Sequence, residues 1–366
     1  MPRLTQPSTI ESSAVQFVAS PMLDMMNAMY FTGHVTVSEG VEGWPLALRR
    51  EMAKDLLIEL DFAFNYPAGD PGILGTFCDN LFVHPEAWRD LDSLVPYLNG
   101  MPDGIGDLEK SPGIQGLVYQ AMFRYQDEVD GTVYARMPYR EAIEQRLRSL
   151  DDRDAGAILY LYDRPAELRE RLLTLISRFY REHYAEEMPR RLPALDRSVA
   201  RHRLEPSSDA EAVARRLTRR QKSCLEAGCA GPYERHVFTP SMDMGVYNSC
   251  AIVGNVHGLF YPLEPEFAGT TGDAAETRLA RLYKALGDEQ RLRILRMLRD
   301  REMYAQEVVD KTGLHQSVVS RHLSFMKAVG LVQARKQNNM KFYSLNPEAG
   351  DMLAGTITLF ESAVRG

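Results

Sequence analysis

Cysteine and long hydrophobic runs are both scarce in this chain, which has 366 residues and 4 Cys. Small secreted proteins depend on dense disulfide bonds, and four Cys in so long a chain do not make such a framework. A helix that spans a bilayer needs about 18 to 20 consecutive apolar residues, and the sequence contains no such run. Nothing in it resembles a signal peptide. We therefore expect a cytoplasmic protein with reduced thiols and no membrane segment.

The motifs of common enzymes are also missing. The sequence has no glycine-rich phosphate-binding loop and no nucleophile elbow. Two groups have the composition of acid-base pairs, namely His34 with Glu39, and His183 with Glu182 and Glu186. Charged residues on a helix more often form a solvated face than a catalytic site. We therefore expect that the protein is not an enzyme.

Positive charge is concentrated near the C-terminus. Residues 276–346 contain 14 Lys and Arg against 7 Asp and Glu, a formal net charge of +7. The rest of the chain holds 29 basic and 43 acidic residues, a net charge of −14. A basic module on an acidic body is typical of a protein that contacts phosphates with one region only. The length itself indicates two or three domains.

The basic region contains a helix-turn-helix pattern at 312–323, TGLHQSVVSRHL. Gly313 is expected to end the first helix, because glycine adopts the left-handed C-terminal conformation without strain. In the following helix, Val319, Leu323 and Met326 recur at the spacing of one helical face and are expected to pack into a core. Short or basic side chains lie on another stripe, where they can meet base edges and phosphates.

Several motifs in this order resemble the ArsR-type (arsenic-repressor) family of bacterial transcriptional regulators. They are ALGDEQRLRIL at 285–295, the pattern at 312–323, GLV at 330–332 and FYSL at 342–345. The resemblance covers residues 276–366. It implies a winged helix-turn-helix that binds a roughly palindromic operator as a homodimer and represses transcription.

The hydrophobic spacing predicts the elements of this winged module. Asp288 is the expected N-cap of the second helix, with Leu292, Leu295 and Leu298 on its inner face. Helices are expected at 276–286, 288–299, 303–312 and 316–329, wing strands at 331–336 and 341–345 with Asn338 and Asn339 in the turn, and a final helix at 348–362.

Eight side chains are candidates for contact with DNA. Arg321 can bind guanine through two hydrogen bonds, Gln316 can bind adenine, and Val318 can touch a thymine methyl group. The basic wing residues are expected to neutralise phosphates or to enter the minor groove. The full set is Gln316, Ser317, Val318, Ser320 and Arg321 in the recognition helix, and Arg335, Lys336 and Lys341 in the wing.

The module departs from the metal-sensing members of the family. Those members carry a C-x-C pair in the third helix, where this chain has Tyr304 and Gln306, which are poor ligands for soft metals. The final helix contains no His, so we expect no metal site and no cofactor. Its Leu353, Ile357 and Phe360 share one helical face, which fits either a two-fold dimer or packing within the domain.

The residues before the module are expected to form a mainly α domain with a small β element, followed by the α+β winged domain. We place a disordered tail at 1–10, a helical effector or interaction domain at 11–261, a linker at 262–275 and the DNA-binding and dimerisation domain at 276–366. Helices are expected at 44–64, 85–98, 112–128, 138–149, 153–162, 165–188 and 206–227, and a small antiparallel sheet is expected at 236–241, 251–256 and 259–261.

Met and aromatic residues are dense at 22–31 and 119–125. They suit a pocket for a hydrophobic small molecule, and they suit an ordinary core equally well. A different kind of site is conceivable at Cys224, Cys229, Cys250 and His257, although their spacing is unlike that of a zinc knuckle. Whether these four residues meet in space stays open.

The sequence thus predicts a regulator, by resemblance a repressor, that binds double-stranded DNA as a homodimer. Its N-terminal domain is expected to sense a small organic ligand of unknown identity. The alternative is an enzyme or a protein-interaction domain fused to a DNA-targeting winged helix. A pocket with convergent polar groups favours the enzyme, whereas a large exposed apolar patch favours the interaction domain.

Overall fold

The computed structural model describes residues 14–34, 39, 41, 43–65, 72–123, 137–149, 155–204, 209–218, 233–268, 274–337, 340–351 and 353–354. Within these ranges the chain is mainly helical, with small sheets, as the sequence predicts. We refer to residues 14–268 as the N-terminal region and to 274–354 as the C-terminal region. No helix in the described part of the chain is long and apolar enough to cross a membrane.

The N-terminal region is built from helices around one buried helix. Its helices are α1 (Pro21–His34), α2 (Trp44–Glu51), α3 (Lys54–Asn65), α4 (Gly72–Leu81), α5 (Leu91–Gly100), α6 (Ile114–Phe123), α7 (Tyr139–Ser149), α8 (Ala155–Tyr162), α9 (Pro165–Phe179), α10 (Ala185–Arg203), α11 (Ala210–Thr218) and α12 (Pro265–Ala268). Every residue of α1 except Tyr30 is buried, which is the pattern of a helix that packs on all sides. The Met-rich segment therefore lies in the core of this region.

A mixed four-stranded sheet packs beside these helices. Its strands are β1 (Ala14–Phe17), β4 (Arg235–Ser241), β5 (Ser249–Val253) and β6 (Val256–Pro262), in the order β1-β4-β6-β5; a separate short pair joins β2 (Gly106–Asp107) and β3 (Ser111–Pro112). Only β5 and β6 are antiparallel, since β1 and β6 both run parallel to β4. The prediction of an antiparallel sheet was therefore wrong for β4, and it was right for the pairing of β5 with β6. Almost every residue of β4 and β6 is buried, as is usual for parallel strands covered on both faces.

Three predicted helix boundaries were also wrong, each for a local reason. The segment 44–64 is broken at Met52, whose backbone is extended. Pro85 begins only a short 3-10 turn, and α5 starts after Asp90, whose carboxylate and backbone N–H form a reciprocal capping box with Ser93. The helix expected to end at 188 continues through a π-helical turn at Tyr180–Tyr184 into α10.

A charged cluster lies inside the N-terminal region, centred on Arg191, which is 0% exposed. Its Nη1 donates to Asp24 Oδ2 at 3.1 Å and to Asp243 Oδ2 at 2.6 Å. Tyr184 Oη donates to the same Asp24 oxygen at 2.8 Å, and the guanidinium lies over the Trp44 ring. Burial raises the pKa of Asp243, and the charge of Asp24 adds to this, whereas the neighbouring Arg191 guanidinium opposes it. We call these residues the Arg191 cluster; it joins α1 and α10 to the loop after β4.

The C-terminal region has the order of a winged helix-turn-helix. It contains α13 (Ala274–Leu286), α14 (Glu289–Asp300), β7 (Met303–Tyr304), α15 (Ala305–Thr312), α16 (Gln316–Ala328), β8 (Val332–Gln337) and β9 (Met340–Leu345), and its strands form an antiparallel sheet in the order β7-β9-β8. The expected helix start at 303 was wrong, because Met303 and Tyr304 pair with β9 instead. Among the described residues that follow β9, 349–351 and 353–354 are helical.

The inner face of α14 differs from the predicted one. Asp288 caps this helix as expected, with its carboxylate accepting from the Arg291 N–H. Leu298 and Ile294 are buried, but Leu292 is 47% exposed, so its assignment to the core was wrong. Arg291 occupies a buried position of this helix, a placement that hydrophobic spacing does not predict.

Some predictions fall on residues outside the described ranges. They concern the tail at 1–10, the turn residues Asn338 and Asn339, the distal helix residues Ile357 and Phe360, and Cys224 and Cys229 of the possible metal group.

Candidate nucleic-acid interface

Two residues set the start of α16, the predicted recognition helix. Gly313 ends α15 with a φ of 70°, in the left-handed conformation that glycine favours, as expected. His315 then occupies the N-cap of α16, where its Nδ1 accepts weakly from the Ser317 N–H at 3.4 Å and lies 2.8 Å from the Ser317 hydroxyl. This histidine therefore takes the place of the small polar N-cap that is usual in helices.

The inner face of α16 anchors the helix to the C-terminal core. Val319, Leu323 and Met326 are all 0% exposed, which confirms the predicted face. Phe325, also 0% exposed, packs into the same cluster. Because these buried side chains fix the helix against the C-terminal core, its opposite face has a defined orientation.

The outer face of α16 carries short polar side chains. Gln316, Ser317 and Ser320 are exposed, and Val318 and Arg321 are half-buried beside them. Short side chains let a helix approach base edges closely, while arginine and glutamine reach acceptors in the major groove. Of the five helix residues named from the sequence, three are therefore exposed and two are half-buried.

In the wing, the charge of Arg335 is already paired with a carboxylate. Arg335 Nε donates to Glu302 Oε2 at 2.7 Å, its Nη2 donates to the second Glu302 oxygen, and its guanidinium lies over the Phe342 ring. The hydrogen bonds from Arg335 hold the pKa of the Glu302 carboxyl below its usual range. Lys341 is exposed on β9, and the side chain of Lys336 is outside the described set.

Sequence reasoning missed Glu302 as a partner of the wing. The two residues are 33 positions apart, so no helical or strand spacing connects them. They meet because Tyr304 pairs with Phe342, and Phe342 pairs with Arg335, across three neighbouring strands. The only signal available in the sequence was an acidic residue directly before a β-prone Met-Tyr pair.

Tyr304 and Gln306, which stand where metal-sensing members carry the C-x-C pair, have structural roles. Tyr304 is the N-cap of α15, and its backbone N–H donates to the Glu307 carboxylate. The Gln306 amide donates to Asp310 Oδ1 at 2.9 Å. Among the residues that the structure describes, no group of three or more His, Cys, Asp or Glu could hold a metal ion. The absence of a metal sensor function stays a prediction.

Two carboxylates of the possible acid-base pairs, Glu39 and Glu182, have arginine partners. His34 Nδ1 lies 2.9 Å from the Tyr30 carbonyl, whereas the Glu39 carboxylate accepts from Arg291. Glu182 is paired with Arg178, whose hydrogen bond lowers the pKa of that carboxyl. These contacts give the carboxylates charge partners other than the nearby histidines.

Of the possible Cys and His group, two residues can be placed. In the β5–β6 hairpin, Cys250 is opposite Leu259 and His257 is opposite Ile252. His257 Nδ1 lies 3.1 Å from Nδ1 of His236 on β4. Burial, and to a smaller extent the adjacent His257 ring, lowers the pKa of His236 to about 4, so the His236 ring is neutral near pH 7.

Comparisons with known proteins concern the C-terminal region. The model of the arsR family of bacterial regulatory proteins matches residues 288–334. A transcriptional activator of Vibrio cholerae, HlyU, is 42% identical over 65 residues, which are 18% of this chain and 60% of that protein. An uncharacterized HTH-type transcriptional regulator of Methanocaldococcus jannaschii is 36% identical over 67 residues, which are 18% of this chain and 75% of that protein.

A solved structure is similar over the same part. HlyU from Vibrio cholerae is 35% identical, with 23% of this chain and 94% of that chain covered and a TM-score of 0.20. The sequence similarity to these proteins extends over an ordered helix-turn-helix with a buried inner face and a polar outer face. The chain therefore belongs, through its C-terminal winged helix-turn-helix, to the arsR family of bacterial regulatory proteins.

Proposed function

We propose that the protein is a transcriptional regulator that binds double-stranded DNA with α16 and the wing. The observation that carries this proposal is the division of α16 into a fully buried inner face and an outer face of exposed Gln316, Ser317 and Ser320. The basic charge of residues 276–346 supports it, since phosphate contacts supply much of the affinity for DNA.

Binding to promoter DNA from the source genome tests this function. Fluorescence anisotropy should detect specific binding at low salt, and the affinity should fall by orders of magnitude between roughly 50 and 200 mM salt because bound counterions are released. Absence of binding at the low salt concentration would falsify the proposal.

We further propose that the protein binds a roughly palindromic operator as a homodimer. One recognition helix reads few base pairs, and two-fold symmetry doubles the site. Sedimentation of the free protein and of its DNA complex tests this: a single protomer on each DNA duplex is the outcome that contradicts it.

The relatives include both a transcriptional activator and a probable mercury resistance operon repressor. We propose repression, which a reporter assay with and without the protein decides.

The division at 262–275, between a domain at 11–261 and one at 276–366, is part of the proposal. Separate hydrophobic clusters on either side support it. We assign the first domain the role of sensing a hydrophobic small molecule, and its Met- and aromatic-rich helices supply chemistry suited to such a ligand. A true effector raises the melting temperature and changes DNA affinity together. A thermal-shift screen of hydrophobic metabolites, with DNA binding measured for each hit, tests the assignment.

A further inference from the structure

The loop between β4 and β5 contacts both regions of the chain. At its start, Asp243 belongs to the buried Arg191 cluster, 2.6 Å from the guanidinium. Two residues later, the Gly245 carbonyl accepts a hydrogen bond from Arg281 of α13 at 3.1 Å. Val246 packs against the hydrophobic cluster of the C-terminal region. A displacement of this loop therefore affects contacts in both regions.

Tyr247, at the end of the same loop, holds Glu39. Its Oη donates to the Glu39 backbone carbonyl at 2.7 Å, and its ring lies 6.0 Å from the ring of Phe31 in the buried helix α1. Burial raises the pKa of Tyr247, so its hydroxyl remains a donor throughout the physiological range. The position of Glu39 thus depends on the loop and on the packing of α1.

The Glu39 carboxylate in turn holds a buried arginine of the DNA-binding domain. Glu39 Oε1 accepts from Arg291 Nη2 at 2.9 Å, whereas the second carboxylate, Asp288, lies 3.5 Å away. Arg291 is 4% exposed, so its charge requires a close partner. Its guanidinium lies over the ring of Phe325 in α16, 4.9 Å from the ring centroid.

His322 is a second residue of α16 that lies near Arg291 and its carboxylate partners. It is buried and lies one turn before Phe325. Burial lowers its pKa, while Asp288 and Glu39 oppose that effect and Arg291 adds to it, so all three charges act on this side chain. An arginine that is fixed by the N-terminal region therefore supports the inner side of the predicted recognition helix.

We propose that the Glu39–Arg291 ion pair, held by the β4–β5 loop, is the coupling element through which the N-terminal region sets the DNA affinity of α16. The inference rests on the proposed DNA-binding function and names its regulation. When Glu39 withdraws, Arg291 keeps only the more distant Asp288 and moves toward it or toward solvent. Phe325 and His322 then lose their support, and the orientation of α16 changes. The coupling acts in both directions, because linkage is reciprocal.

The test compares Glu39→Gln with Glu59→Gln. The first substitution removes the charge that reaches Arg291 and preserves the size of the side chain. The second removes the charge of a more exposed pair of similar length, Glu59 with Arg171 at 2.8 Å, which joins α3 to α9 within the N-terminal region. We expect E39Q to weaken DNA binding by about three- to tenfold, in the range of residues that carry coupling between sites. We expect E59Q to remain within about twofold of the wild type.

Tryptophan emission supplies a readout of coupling in the opposite direction. The chain has 2 Trp, Trp44 and Trp88, and both belong to the N-terminal region. Trp44 lies over Arg191, whose partner Asp243 begins the β4–β5 loop. Saturating DNA should change this emission in the wild type and in E59Q, but not in E39Q. Tyr247→Phe, which removes the hydroxyl that holds Glu39, should reduce the change.

Hydrogen exchange of the α16 amides separates failure of this inference from failure of the proposed function. In the absence of DNA, these amides should exchange about fivefold faster in E39Q than in E59Q or the wild type, because the helix has lost support. If the wild type binds no DNA, the proposed function fails and the exchange rates alone decide the inference. Equal exchange in E39Q and E59Q, or equal DNA affinity and equal emission changes where DNA binds, overturns it.

Discussion

Two buried arginines, one in each region of the molecule, are held in different ways. Arg191 is paired with Asp24 and Asp243, which both belong to the N-terminal region. Arg291 is paired with Asp288 of its own domain and with Glu39 of the other. Each guanidinium also lies over an aromatic ring. The first arrangement stabilises one region, whereas the second makes the charge balance of one region depend on the position of the other.

The difference shows how similar chemistry serves two purposes. A buried charge that loses a partner is costly, so the Arg191 cluster opposes any rearrangement of α1 against α10. At Arg291 the same cost is shared between two regions, and a change in either one alters the other. We thus expect a perturbation to move the N-terminal region as a unit. In the C-terminal region, we expect its effect to appear in α16.

Loss of Asp24 should give the largest effect. Asp24→Ala removes the acceptor for Arg191, Tyr184 and Ser241, and leaves Arg191 with Asp243 and the more distant Glu187. We expect the free energy of unfolding to fall by about 3–5 kcal/mol, as is usual when one partner of a buried ion pair is removed. Urea denaturation measures this change.

The matched control is Asp61→Ala, which breaks a more exposed pair with Arg49. It should cost no more than about 1 kcal/mol. Equal losses from the two substitutions would mean that the Arg191 cluster contributes no more than an exposed pair, and the contrast with Arg291 would disappear.

The second prediction concerns two basic side chains of the C-terminal region, one in α16 and one in the wing. If Arg321 binds guanine through two hydrogen bonds, Arg321→Ala should weaken binding to the best site by about 1–3 kcal/mol and relax selection at one base position. Lys341→Ala should weaken all sequences about equally. Selection of bound sequences from a random library, followed by affinity measurements, distinguishes the two. The reverse pattern would mean that the wing reads the bases.

The third prediction is a pH dependence that originates in the N-terminal sheet. The pKa of His236 is lowered from 6.5 to about 4 by burial and by His257. As the pH falls below about 6.5, the unfolded chain binds a proton that the folded chain excludes, so stability decreases until the folded state also titrates near pH 4. His236→Phe should reduce the slope of unfolding free energy against pH in this window. An unchanged slope would assign the acid sensitivity to other groups.

The smallest effect is expected from Glu302→Gln. This change removes the carboxylate charge that pairs with Arg335, so the guanidinium should pair more readily with a DNA phosphate. The slope of log affinity against log salt should become steeper by up to about 0.9, the value for one added phosphate contact. Gln306→Ala, on the same domain but paired with Asp310, is the control and should leave the slope unchanged. An unchanged slope for E302Q would show that Arg335 gains no contact with DNA.

The C-terminal domain was largely predictable because its signals are local. Gly313 marks a helix end, Asp288 marks a helix start, and the spacing of Val319, Leu323 and Met326 marks a buried face. Each of these depends on residues within one or two turns of each other. One error occurred where a distant strand competed, because Met303 and Tyr304 paired with β9 rather than beginning a helix.

The N-terminal region was predictable in its helical character and less so in its topology. Alternation and β-propensity identify strands but carry no information on their direction, so the parallel pairing of β4 with β1 and β6 was missed. Likewise, a Met-rich segment reads the same in a core or at a ligand site. Its position at the centre of the helices became clear only from the packing of α1.

The sequence by itself determined the presence of a winged helix-turn-helix, its charge and the two faces of its recognition helix, since these arise from short-range spacing and from composition. The tertiary structure alone decided which carboxylate each buried or wing arginine meets. Glu39 and Arg291 are 252 positions apart, and Asp24 and Arg191 are 167 positions apart. Ion pairs of this kind form because folding removes both groups from water at the same place, and no local pattern in a sequence encodes that coincidence.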